Sequence, residues 1–119
     1  MSIEMPAFGF DEVMVGLRKQ AFKLGWKQHE SGRLDCIQKD FGNIRVWTLA
    51  AGNDLLFSGK DLTSPEAYVP LTCAEIKQAI EELTPIIERV IKRNKKKFKE
   101  GFEWANTHGY QLKPSKWGF

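Results

Sequence analysis

The sequence predicts an α+β fold: an N-terminal helix, an antiparallel β-meander of three to four strands, two C-terminal helices packed on one face, and an aromatic C-terminal tail. Three observations carry this. Apolar residues recur at steps of three and four over 10–24 and again over 76–105, the spacing of a helix with one buried face. Between them lie short runs rich in β-branched and aromatic residues, separated by Gly, Asn, Asp and Ser clusters. The links are short, and strands joined by such links must be antiparallel. At 119 residues the chain fits one domain, with folding able to bury roughly two-thirds of the unfolded surface.

Residues 1–9 read as a loose lead-in, with Pro6 and Gly9 breaking regular structure. The first helix is expected over 10–24. Phe10, Val13, Met14, Leu17, Ala21 and Leu24 form its apolar stripe. Asp11 and Glu12 suit the positive end of the helix dipole, and Gly25 is the residue type at which helices commonly end. Val15 and Phe22 lie off the stripe as a small second patch, expected to pack under a loop and compatible with a homodimer.

The strands are expected over 26–30, 33–39, 44–49 and 55–58. Ser31-Gly32, the cluster from Asp40 to Asn43, and Gly52-Asn53-Asp54 supply the turns. The run IRVWTL at 44–49 is apolar on both faces, which marks a central strand or a sheet partly covered on its second face. Trp26 and Trp47 are assigned to the core. Residues 67–69 suggest a short edge strand, since Pro70 bars a central place.

Thr72 with Glu75 has the spacing of a capping box, and Leu71 with Ile76 that of a hydrophobic staple. Ile76, Ala79, Ile80 and Leu83 form the buried face of this helix. Thr84-Pro85 then reads as a new helix start, because Thr is a good N-cap and Pro suits the first helical position. The helix expected over 85–105 carries Ile87, Ile91, Asn94, Phe98, Phe102 and Ala105 in one stripe. Sequence leaves open whether the two helices are separate or one kinked helix. His108 and Gly109 mark the end. The tail, 108–119, is expected to dock through Tyr110, Trp117 and Phe119 on the sheet or first helix, or else to offer them to a partner.

The outstanding charge feature lies on the 85–105 helix. Arg89, Lys92, Arg93, Lys95, Lys96, Lys97 and Lys99 crowd into eleven residues with no acid among them. They cover the helix outside its apolar stripe. One reading is a solvated helix face, since long basic side chains also cover apolar surface with their stems. The functional reading is an anion-binding helix. Lysines outnumber arginines five to two in the run, and lysine is a poor bidentate base reader. Phosphate contacts with little sequence specificity are therefore expected. The net charge of +3 is modest, so the run alone carries this argument.

Catalytic signatures are nearly absent. His29 and His108 are the only histidines and lie far apart. Cys36 and Cys73 occupy apolar positions and show neither metal-ligand spacing nor a disulfide framework. There is no phosphate-binding loop, no dinucleotide fingerprint and no zinc-finger spacing, so no cofactor and no metal are expected. No secretory leader or apolar run near the ~20 residues of a membrane span is visible, which points to a cytoplasmic protein without a membrane role. The expected function is non-catalytic binding of nucleic acid phosphates or an acidic protein surface by the basic helix. A stand-alone protein-interaction module, inhibitor or adaptor is the second reading. A small RNase using His29 or His108 is the third.

Overall fold

The structure, a computed structural model, describes residues 2–7, 9–33, 35–51, 54–64 and 68–119. In chain order these form β1 (Ser2–Glu4), α1 (Phe10–Phe22), β2 (Lys27–Gln28), β3 (Ile37–Phe41), β4 (Ile44–Ala51), β5 (Asp54–Asp61), α2 (Ala74–Arg93) and α3 (Lys95–Thr107). The fold is α+β as expected, but the antiparallel sheet has five strands, in the order β1-β5-β4-β3-β2. The additional strand is β1, within the stretch read as a lead-in. Its three residues pair with Leu56, Leu55 and Asp54, and only Ile3 enters the core. So short an alternation carries no readable period.

The central strand is β4, the run with two apolar faces. Phe41 pairs with Ile44 across a two-residue turn, in which Gly42 adopts φ 62°. The second strand starts at Ile37, not at residue 33. Arg33 instead clasps Asp35 locally through two bonds of 2.9 and 2.8 Å, and the His29 N–H reaches the Cys36 carbonyl across a wider loop. Of the expected turn and edge-strand residues, Gly52, Asn53 and Ala67 lie outside the described residues. Beside them, Tyr68 bridges to Lys60, and the Val69 N–H donates to the Gly59 carbonyl.

α1 ends two residues before the expected limit. Trp26 N–H donates to the Ala21 carbonyl and Gly25 N–H to that of Phe22, with Gly25 at φ 95°. These are the two bonds of a Schellman ending. They swing Trp26 into the core and leave Leu24 exposed. Val15 and Phe22 are exposed too, not packed away as expected, and Arg18 lies over the Phe22 ring.

The largest departure from expectation concerns the C-terminal helices. α2 runs straight through Pro85, and the break comes at Asn94. Pro85 is exposed, and beside it the Thr84 hydroxyl donates to the Ile80 carbonyl at 2.7 Å. Burial then decides the matter. Ile76, Ala79, Leu83, Ile86, Ile87, Val90 and Ile91 form one unbroken buried stripe across the proline. At the start of α2, Cys73 is the N-cap and the Thr72–Glu75 box does not form. The Cys73 N–H is turned onto the Pro70 carbonyl, which sets the helix start one residue later than the box requires. Leu71 is left exposed.

α1 packs against α2, and α2 packs on β1, β4 and β5. Gly16 makes the helix contact close, since a Cβ there would lie 2.9 Å from Val90 Cγ2. Residues 74–107 would extend about 50 Å at ~1.5 Å per residue, matching the 51 Å long axis of the molecule. α3 is held at its base by Phe98, which is fully buried against Phe119 and Gly9. The tail returns along α3 and docks on the β1–α1 connection. Trp117 Nε1 donates to the Glu4 carbonyl at 3.0 Å, and the Ala7 N–H donates to the Phe119 carbonyl at 3.0 Å.

Gly9 is the tightest point of this junction. It sits at φ 88°, and a Cβ there would come within 2.3 Å of the Phe98 ring. Gly9→Ala should therefore destabilise the fold by about 2 kcal/mol or more, combining left-handed strain with overpacking. Urea unfolding checks this; a loss under about 0.5 kcal/mol would show that the junction is not tight.

Candidate functional site

All seven cations singled out in the sequence lie exposed along α2 and α3. The break at Asn94 divides them: Arg89, Lys92 and Arg93 close α2, while Lys95, Lys96, Lys97 and Lys99 open α3. Lys92 and Arg93 occupy the last turn of α2, where the dipole favours cations. The first turn of α3 contains no acid, so its lysines add to the positive end of that helix. Asn94 caps the end of α2, with its side-chain Nδ2 donating to the Val90 carbonyl at 2.9 Å.

Two of the seven are partly neutralised. Lys97 lies 3.2 Å from Glu12 of α1, and Lys96 lies 4.0 Å from Glu100. Arg89, Lys92, Arg93, Lys95 and Lys99 make no ion pair among the described residues. Helical spacing sorts the cations into two flanks. Arg89, Arg93 and Lys97 face α1, where Arg89 and Arg93 line a hollow of about 270 Å³ with Lys19 and Gln20. Lys92, Lys95 and Lys99 lie on the outer flank, away from the acids at the start of α1. The result is a cationic ridge on a rigid support, its underside anchored by Ile87, Ile91 and Phe98.

The three tail aromatics separate. Trp117 is half-buried and Phe119 is 2% exposed, both used to dock the tail. Tyr110 is exposed at the far end of α3, 6.3 Å from the Trp104 ring, which also stacks on His108 at 4.1 Å. Trp47, assigned to the core from its place in a strand, instead lies half-buried on the sheet face opposite the helices. Trp26 is in the core.

No hydrogen bond or ring contact joins the two histidines. His29 interacts with Ser31 in its own turn, and His108 with the Trp104 carbonyl. Among the described residues no cluster of three or more His, Cys, Asp or Glu side chains is arranged to hold a metal ion. Both cysteines are free; burial pushes the Cys36 thiol up to about 11. Among the described residues, no helix is long and apolar enough to cross a membrane. Comparison with protein families, with curated proteins and with solved structures finds no match to this chain.

The shift of Cys36 from 9.0 to about 11 cuts its thiolate fraction at neutral pH roughly a hundredfold. A thiol reagent at pH 7.5 should leave Cys36 unmodified in the folded protein and label it on unfolding. Rapid labelling of Cys36 in the native state, read by peptide mass, would contradict this.

Side-chain hydrogen bonding from Arg45 holds the Asp40 carboxyl below its ordinary value of 3.8, with bonds of 2.8 and 3.2 Å. A depressed folded pKa lends stability above the unfolded value, and that stability is lost as pH falls through the folded one. The pair is partly exposed, so its contribution is at most about 1 kcal/mol. Asp40→Asn should lower stability at pH 7 by that amount or less, and the gap from the parent should shrink below pH 4. Urea titrations at pH 7 and pH 3 measure it; an equal gap at both would exclude the Asp40 carboxylate as its source.

Proposed function

We propose that this is a small non-catalytic binding protein that docks nucleic acid phosphates along the cationic ridge of α2 and α3. The observation that carries the reading is the unneutralised state of the ridge. Five exposed cations, Arg89, Lys92, Arg93, Lys95 and Lys99, form no ion pair among the described residues, although acids stand nearby on α1 and α3. A face kept only for solubility needs no such one-sided concentration. The lysine-rich outer flank suits point contacts to phosphate oxygens, not base reading, so affinity should depend strongly on salt and weakly on sequence.

The test is binding of short duplex DNA across a salt series. With about five phosphates neutralised, the log–log slope should be near −4.5. Lys92→Glu, Lys95→Glu and Lys99→Glu together should lower affinity at least a hundredfold at 0.1 M salt and flatten the slope. These side chains are exposed, so circular dichroism should show the fold retained. A parent that binds no nucleic acid at low salt, or a reversal variant with unchanged slope, would defeat the reading. An acidic protein surface would then be the natural occupant of the ridge.

A further inference from the structure

The sheet presents a second surface. Alternation along the strands sends Ile3, Ile37, Val46, Leu55 and Phe57 into the core and their neighbours to the opposite face. On that open face, strand register builds two cross-strand rows. One runs Lys27, Gln38, Trp47, Ser58, and the next runs Asp40, Arg45, Lys60, Tyr68. The rows bring aromatic rings together. His29 lies 6.0 Å from Trp47, and Trp47 lies 6.1 Å from Tyr68. Tyr68 is 76% exposed.

We infer that this open face binds the unpaired bases of a single-stranded nucleic acid, with Trp47 and Tyr68 as the stacking surfaces. Four features favour that occupant. The ring planes are tilted by 48° and 64°, so the rings meet edge-on instead of stacking face to face, and Tyr68 keeps ring surface open to a ligand. Their separation of about 6 Å exceeds the ~3.4 Å rise of stacked duplex bases, so splayed single-stranded bases match it better. The face carries three cations, Lys27, Lys60 and Arg45, against two acids: Arg45 is held by Asp40 and Glu30, Lys27 also acts on the Asp40 carboxylate, and Lys60 forms no ion pair among the described residues. The Gln38 amide oxygen beside Trp47 has no donor among the described residues, an acceptor that a base N–H reaches once the side chain turns outward. Rings beside cations suit a single strand, whose bases stack while its phosphates meet the charges. This inference stands apart from the ridge, since the two surfaces lie on different elements.

The experiment titrates the full chain with a ten-nucleotide oligothymidylate, followed by amide and indole NMR shifts and by fluorescence anisotropy. The Trp47 indole N–H and the amides of β4 and β5 should shift. Trp47→Ala and Tyr68→Ala should each weaken single-strand binding about tenfold, the scale that base–aromatic stacking carries. Tyr68→Ala removes an exposed ring and keeps the test valid should Trp47→Ala disturb the sheet. The reversal of Lys92, Lys95 and Lys99 should leave the Trp47 shift in place, which separates this site from the ridge. Shifts confined to α2 and α3, unchanged binding in both aromatic variants, or no binding of the single strand at low salt would each overturn the inference.

Discussion

The structure depends on one continuous apolar stripe, that of α2. From Ile76 to Ile91 it lies between α1 and the sheet, and every other placement follows from it. Because the stripe points inward, the cations beyond Glu88 point outward. Because α2, with α1 packed on it, covers one face of the sheet, the opposite face keeps Trp47, Tyr68 and Arg45 in contact with solvent. The helix tolerates a proline in its middle for the same reason. Losing one backbone bond and accepting a ring costs about 3 kcal/mol in a helix interior. Ile86, Ile87, Val90 and Ile91 lie beyond it, all buried, and each is worth about 1.5–3 kcal/mol on burial. The second quantity is larger, so the helix continues.

The junction around Phe98 performs a different task. α3 stands at the end of the long axis, where a helix with lysines in its first turn has little reason to be stable alone. Phe98 fills the space over Gly9, Phe119 closes it, and the Phe119 carbonyl accepts from both the Ala7 N–H and the Ser115 hydroxyl. The tail is therefore a strut for the ridge. This arrangement places exposed charge on an extended arm without leaving that arm unsupported, and it explains why Trp117 and Phe119 are drawn inward while Tyr110 remains at the tip.

The two candidate surfaces differ in kind. The ridge is an array of point charges along two helices, suited to an extended polyanion. The sheet face is a row of rings with a charged rim, suited to flat, unpaired groups. Arg45 organises the second surface. Its guanidinium spans Asp40 and Glu30, tying the face together beside Trp47, while Lys60 forms no ion pair among the described residues.

Period and composition alone determined the α+β class, α1 with its buried Val13, Met14, Leu17 and Ala21, the central place of β4, and the residues of the ridge. Each is a local pattern repeated often enough to be read. Only the tertiary structure decided the rest. Pro85 and the Thr72–Glu75 pair are strong local signals, yet inter-element burial overrode the first and a one-residue shift in the helix start removed the second. β1 exists because β5 offers it an edge, which no three-residue sequence announces. Trp47 looked like core because a strand residue does not reveal which face the helices will cover. Tyr68 is its neighbour only through the register of β5 with both flanking segments. Local interactions are written in the order of residues; the choice between sheet faces depends on partners dozens of residues away, and folding alone makes it.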